Sequence, residues 1–349
     1  MEGLFYKSQY TDPYINLAAE EYLLHVCMRE GNPILYLWQN ADTVVIGRNQ
    51  NAYTECNVRY AMDQGIRIAR RMTGGGAVYH DLGNLNYSII LPKEMYDVDR
   101  STQMILDALN RLDLHAVKNG RNDICIGGKK VSGNAYYTNA KVGLHHGTLL
   151  YHVDTARMEQ VLQVSSHKLS KKGISSVRAR VSDLITDHPL LRLSEIETEL
   201  KKAFQTGYHS DHLKERDIDP ECLTGYLDKY RSDEWNLQRI REYAMISEAH
   251  STWGDMRISV HCEGGILRAV EISTDVLETD LIEDIKKALN AAINRGTISN
   301  ADEEGGCEES IEKVFLIFAE KYPDNRDIIM SIRDHLSGLL NEEYRNDNK

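Results

Sequence analysis

The sequence predicts a mixed protein of helices and strands, an α+β or α/β body followed by a small α+β domain. Two observations carry this. Apolar segments of strand length are interspersed with segments of helical spacing through the first part of the chain. Near Trp253 the pattern changes to two alternating runs around a glycine pair, followed by three helical patterns.

In chain order, Leu17, Leu24 and Met28 share one side of a helix expected over Asn16 to Met28. Ile34 to Trp38 and Thr43 to Ile46 are continuous apolar runs, the pattern of strands buried on both faces. Gly47 ends the second run, and the polar stretch Arg48-Asn49-Gln50-Asn51 follows. A further strand, Asn86 to Leu91, stops at Pro92, and Ile105, Ala108, Leu109 and Leu112 mark a helix over Ser101 to Leu112. Ser194-Glu195-Ile196-Glu197 reads as a capping box opening a helix through Phe204. Beyond Trp253, Met256, Ile258, Val260 and Cys262 alternate, Glu263-Gly264-Gly265 offers a turn, and Ile266, Arg268, Val270 and Ile272 alternate again. Ile282, Ile285, Leu289 and Ile293 form a helical stripe that Gly296 can end. An acidic stretch, 302–309, precedes helices near Ile311 to Tyr322 and Ile328 to Leu340. The expected domains are therefore 1–245 and 252–349.

Composition narrows the function. Of 349 residues, 42% are hydrophobic and 27% charged, the make-up of a soluble globular chain with a sizeable core. No apolar run is long enough to span a membrane. Met1 to Phe5 lacks the basic and apolar regions of a secretory signal. A net charge of −12 argues against nucleic acid as a partner. The six cysteines never form a C-x-x-C pair, so a reducing, cytoplasmic setting is expected.

Two segments concentrate unusual chemistry. Arg70-Arg71-Met72-Thr73-Gly74-Gly75-Gly76-Ala77-Val78-Tyr79-His80-Asp81-Leu82-Gly83-Asn84 sets two arginines before three glycines. Exposed backbone N–H groups beside guanidinium groups suit an anion, although a flexible turn beside solvated arginines fits equally well. Neither a P-loop nor a G-x-G-x-x-G fingerprint is present. The second segment, Gly120 to Ala135, holds Asp123, Lys129, Lys130 and Gly133. A lysine between glycines and small residues can point into a pocket, and Asp123 can hold a metal ion or orient a lysine. Two exposed lysines beside a turn are the commoner arrangement.

Taken together, R-R-x-x-G-G-G-A-V-Y-H-D-L-G-N, G-R-N-D, K-V-S-G-x-A-Y and H-H-G-T-L-L resemble the bacterial lipoate–protein ligases. Val44 to Asn51 and Lys172 to Val181 are similar to further segments of that family. The resemblance runs from near the N-terminus to about Asp183, with a further match near Trp235-Asn236 and in the second domain. It implies an α+β fold, a mixed sheet with flanking helices related to biotin ligases and class II aminoacyl-tRNA synthetases, with a small α+β C-terminal accessory domain. It implies ATP, Mg²⁺ and lipoate as ligands, and lipoyl carrier domains as partners: 2-oxoacid dehydrogenase subunits and the glycine-cleavage carrier protein. The nucleotide-binding residues it implies are Arg71, Gly75, Gly76, Ala77, Val78, Tyr79, Lys130 and Asp123, with Asp123 also the candidate Mg²⁺ contact. Lys130 matches the lysine that touches both lipoate and adenylate, whereas Lys129 has no counterpart. Met72 and Thr73 depart from the usual small polar pair.

The substrate-binding set that the resemblance implies is Arg70, Val45, Gly76, His80, Lys130 and His146. An apolar slot for the lipoyl tail draws on Val44, Val45, Ile46 and Val78, each of which suits ordinary core at least as well. His80, His145 and His146 are expected in structural or acceptor-orienting roles, because neighbours such as His145 and His146 point to opposite faces of a strand. The basic run Lys168, Lys171, Lys172, Arg178 and Arg180 suits closure over an adenylate, an acidic carrier or a solvated face. Rival readings are an ATP-independent lipoyl or octanoyl transferase, a biotin ligase and a non-catalytic binder of lipoyl carriers. No cysteine between Val131 and Asp154 offers the thiolate that such transferases often use.

Overall fold

The apolar runs at 34–38 and 43–46 are strands buried along their whole length, yet they enter different sheets of the computed structural model. The structure describes residues 2–163, 181–210, 212–237, 245–263, 266–295 and 306–347. The basic run between Lys168 and Arg180 lies outside these residues. The chain divides into two compact units, Met1–Gly47 with Ala52–Gln238, and Arg48–Asn51 with Arg239–Lys349.

The first unit is a mixed α+β body, as expected from the resemblance. Its strands are β1 (Gly3–Lys7), β2 (Ile34–Trp38), β3 (Thr43–Ile46), β4 (Arg67–Arg70), β5 (Val78–His80), β6 (Asn84–Pro92), β7 (Val117–Asn119), β8 (Asp123–Ile126), β9 (Lys129–Thr138), β10 (Val142–Leu150) and β11 (Leu213–Glu215). Eight form one sheet in the order β11-β1-β2-β6-β10-β9-β8-β7, and β4-β3-β5 form a second. β2 shows why its run is uniformly apolar. Leu35 and Leu37 face a core with Tyr87, Ile89 and the helices at Val98–Asn110 and Leu193–Gly207. Ile34 and Tyr36 face Leu144 and the helix at Pro13–Glu30. Each fully buried Leu or Ile here contributes about 1.5–3 kcal/mol.

Helix ends differ from expectation where caps lie outside the apolar stripe. The first helix opens at Pro13 rather than Asn16, because Asp12 accepts from the Tyr14 N–H and Pro13 presets φ; it ends at Gly31, φ +71°. Asp97 caps the helix that begins at Val98 instead of Ser101. The box assigned to Ser194 is two residues earlier: Glu195 accepts from the Arg192 N–H at 2.8 Å, while the Ser194 carbonyl takes the Thr198 hydroxyl inside the helix.

In the second unit, β12 (Met245–His250) joins the expected hairpin, β13 (Asp255–Glu263) and β14 (Ile266–Thr274). The register slips between His261 and Cys262, and the extra residue opposite is Arg268. That bulge turns Arg268 outward and Leu267 inward, so the alternation expected through Arg268 breaks there. Helices at Thr279–Asn294, Gly306–Lys321 and Arg326–Asp347 cover the sheet, with Ile282, Ile285, Leu289, Phe315, Ile329 and Ile332 in one core. Gly264, Gly265 and Gly296 lie outside the described residues, as does the acidic stretch up to Glu304-Gly305. Residues 48–51 belong to this unit: Thr274 N–H donates to Asn49 O at 2.9 Å, Asn49 Nδ2 to Thr279 O at 3.3 Å, and Asn51 N–H to Ser273 Oγ at 3.0 Å. Among the described residues, no helix is long and apolar enough to cross a membrane.

Candidate functional site

Residues directly opposed in neighbouring strands point to the same face of a sheet. Trp38 opposes Asn86, Asn86 opposes Thr148, and Gly133 opposes Asp123. The Gly133 N–H donates to Thr148 Oγ1 at 3.1 Å, which joins the two halves of the row. A polar strip therefore crosses five strands on one face, Trp38–Asn86–Thr148–Gly133–Asp123. Three of its residues, Thr148, Gly133 and Asp123, come from three different motifs of the sequence.

Lys130 reaches this strip because β9 is irregular. Three positions apart, Lys130 and Gly133 belong on opposite faces of a regular strand. The register instead runs Ile124–Ser132, then Cys125–Lys130, leaving Val131 as an extra residue. The bulge moves Lys130 to the face of Gly133 and Asp123. Its Nζ lies 2.7 Å from Asp123 Oδ1, with the lysine side chain 20% and the aspartate side chain 9% exposed. A Cβ on Gly133 would stand 2.8 Å from Nζ and 3.0 Å from Cε, so glycine leaves the room the lysine occupies. The Lys130 carbonyl also accepts from the Ser182 N–H at 3.0 Å. Lys129, by contrast, is exposed.

The two arginines sit differently. Arg70 is fully buried and donates to three backbone carbonyls: Gly47 at 2.9 Å, Trp235 at 2.7 Å and Asn236 at 3.2 Å. Its position is that of a brace between segments, not of an open anion contact. Arg71 lies at the centre of the glycine loop, donating to Val45 O, Gly74 O, Gly76 O and Thr73 Oγ1 at 2.7–3.2 Å. In a trans peptide the carbonyl and the following N–H point opposite ways. With Gly74 O and Gly76 O turned to Arg71, the N–H groups of Gly75 and Ala77 point away from it. The arginine thus shapes a cradle of backbone donors beside a positive charge, chemistry suited to an anion. Gly75 has φ +89°, where a side chain is strained.

Val44 and Ile46 pack with Tyr79 and Leu150 as ordinary core. Val45 is also buried, and Tyr79 donates its hydroxyl to Asp42 at 3.0 Å. Val78 is half-buried. His146 Nδ1 lies 2.8 Å from Glu20 Oε1 and its Nε2 lies 2.8 Å from Thr73 Oγ1, tying the loop to the sheet. His145 points to the opposite face, with Nε2 2.8 Å from Asn134 Oδ1. Burial pushes both His80 and His145 down to about 3, so both rings are neutral. Glu20, which also accepts the Ser88 hydroxyl, escaped the sequence reading. Asn16 and Glu20, two polar residues one helical turn apart among buried leucines, were the available signal.

A model of the lipoyl protein ligase A/B catalytic domain matches residues 12–205. The chain belongs to that family. Solved lipoate ligases share its fold. An archaeal bipartite lipoate protein ligase from Thermoplasma acidophilum, studied with its E2 lipoyl domain, is 30% identical, with 70% of this chain and all of that chain covered and a TM-score of 0.62. Lipoate-protein ligase A bound with ATP is 29% identical over 68% of this chain and 99% of that chain, TM-score 0.60. The P. falciparum LipL1 structure in complex with lipoate matches in fold at TM-score 0.79 and 24% identity, over 95% of this chain and 98% of that chain. The glycine loop, the polar strip and Lys130 all lie within the matched family segment.

Proposed function

We propose that this ligase activates lipoate with ATP and transfers the lipoyl group from lipoyl-AMP to a lysine of a lipoyl carrier domain. The observation that carries the proposal is Lys130, brought by the Val131 bulge onto the polar face beside Asp123. In the first step a carboxylate oxygen attacks the α-phosphorus and pyrophosphate leaves. Two like unit charges 4 Å apart repel by about 4 kcal/mol at an effective dielectric of 20. The Lys130 ammonium between carboxylate and phosphate lowers that barrier, and the N–H groups of Gly75 and Ala77 hold phosphate oxygens. In the second step the carrier amine attacks the acyl carbon, AMP leaves, and a proton is lost from the new amide nitrogen. Asp123 orients Lys130 in this scheme. Asp123 is also the carboxylate that would contact Mg²⁺ carried on the ATP phosphates, where the ion would offset their negative charge. Carriers of the 2-oxoacid dehydrogenase and glycine-cleavage types are the proposed acceptors. Residues 1–245 are proposed to hold the chemistry and 252–349 to assist it.

Incubation with lipoate, MgATP and an unmodified carrier domain, followed by intact-mass analysis, tests this. Lipoylation that depends on ATP, with pyrophosphate released, is the expected outcome. Carrier modification without ATP from an octanoyl- or lipoyl-loaded donor carrier, with none from free lipoate and ATP, would replace the proposal with an acyl transferase, and modification under neither condition would leave a binder.

A further inference from the structure

Asn16 and Asn40 are fully buried, and Asn16 Nδ2 donates to Asn40 Oδ1 at 2.9 Å. The surroundings of Asn16 leave its amide one orientation. Its Nδ2 faces the carbonyls of Tyr10, at 3.1 Å, and Gln39, at 2.9 Å, which can only accept. Its Oδ1 takes the hydroxyls of Ser8, at 2.6 Å, and Tyr36, at 3.2 Å. Asn40 must then turn Oδ1 toward Asn16, which leaves its Nδ2 3.1 Å from His80 Nδ1. An amide nitrogen only donates, so Nδ1 is the unprotonated acceptor and the neutral ring carries its proton on Nε2. That Nε2 is buried and has no hydrogen-bond partner among the described residues. An N–H left so carries a desolvation cost that an acceptor on a ligand removes. The Arg71 charge acts on the same ring, so the acceptor favoured there carries negative charge.

We propose that Asn40, itself steered by Asn16, is a positioning residue that locks His80 as the Nε2–H tautomer, and that this N–H donates to a carboxylate oxygen of the acid substrate. The second half rests on the ligase reading above; the tautomer does not. The sequence implies His80 as a substrate contact, but none of its motifs points to a role for Asn16 or Asn40 at the site.

The test uses the full chain labelled with ¹⁵N-histidine, with the His80 signals assigned from their loss in His80→Gln. At neutral pH, His80 should show an unprotonated Nδ1 and a protonated Nε2; an Nδ1–H form or a charged ring overturns the tautomer. Saturating lipoate without ATP should move the Nε2 proton downfield, whereas ATP alone should leave it in place. A shift with ATP only, or with neither, overturns the carboxylate contact. Asn40→Asp moves the proton to Nδ1, because a carboxylate can only accept. That variant should raise KM for lipoate at least tenfold and KM for ATP less than twofold. A switched tautomer with an unchanged lipoate KM overturns the positioning role. If Asn40→Asp fails to fold, the parent titration still decides. A chain that shows the expected tautomer and lipoate shift but no ATP-dependent ligation would overturn the ligase reading alone.

Discussion

A methyl group at position 133 would meet the Lys130 head at 2.8 Å without straining the backbone, which makes Gly133→Ala a displacement of the lysine rather than of the fold. Loss of a preorganised charge typically costs about 10²–10³ in rate. Lys130→Met should therefore lose at least about a hundredfold in lipoate-dependent pyrophosphate release, and Lys129→Met little. Gly133→Ala should fall between them at an unchanged melting temperature. Parent-like rates in Lys130→Met would remove the lysine from the mechanism. The buried histidines make a separate claim about pH. His80 and His145 stay neutral down to about 3 when folded, but titrate near 6.5 when unfolded. Between those values the unfolded chain binds protons that the folded chain refuses, so stability is retained above 6.5 and declines as pH falls. Each ring contributes a slope of about 1.4 kcal/mol per pH unit. Urea titrations at pH 7 and 5.5 should show the loss, and His145→Gln should reduce it; identical stabilities at both values would mean that the rings charge in place.

At the scale of elements, the small β4-β3-β5 sheet holds the glycine loop by close backbone approach. A Cβ on Gly47 would stand 2.2 Å from Gly75 O, whereas one on Gly76 would meet nothing within 4 Å. Gly47→Ala should thus displace the loop, lowering the melting temperature and activity together. Gly76→Ala should leave the melting temperature alone and raise KM for ATP, if phosphate lies against that loop. A Gly47→Ala protein as stable and active as the parent would show that the contact relaxes freely. These elements also show what could be read from sequence. Continuous apolar runs marked β2 and β3 to the residue, because burial on both faces leaves no alternative composition. The glycine loop and Lys130 were legible as motifs. The bulges at Val131 and Arg268 were not, since a one-residue register slip leaves no trace in composition. Nor were the inward turn of Arg70 and Arg71 and the Asn16–Asn40–His80 chain, which depend on partners up to 166 residues away for Arg70 and 26 for Arg71, and on a 24-residue separation for the amides.

On the scale of the whole molecule, the chain passes between its two units three times, after Gly47, Asn51 and Gln238. A chain ending at residue 238 therefore also strips Arg48–Asn51 of three hydrogen bonds, worth about 1 kcal/mol each. With roughly 2–4 °C per kcal/mol for a unit of this size, the remaining unit should melt roughly 6–12 °C lower. Calorimetry of the full and shortened chains checks this, and a transition within a degree of the parent's would show that those bonds add nothing. The same three crossings set an order of events during synthesis. Asn51 and its partner Ser273 are 222 residues apart. At about 5–20 residues per second, residues 48–51 leave the ribosome roughly 10–45 s before their binding face exists. The first unit must reach its fold while residues 48–51 still wait for their partners, so a folded body carries an undocked loop through the rest of synthesis.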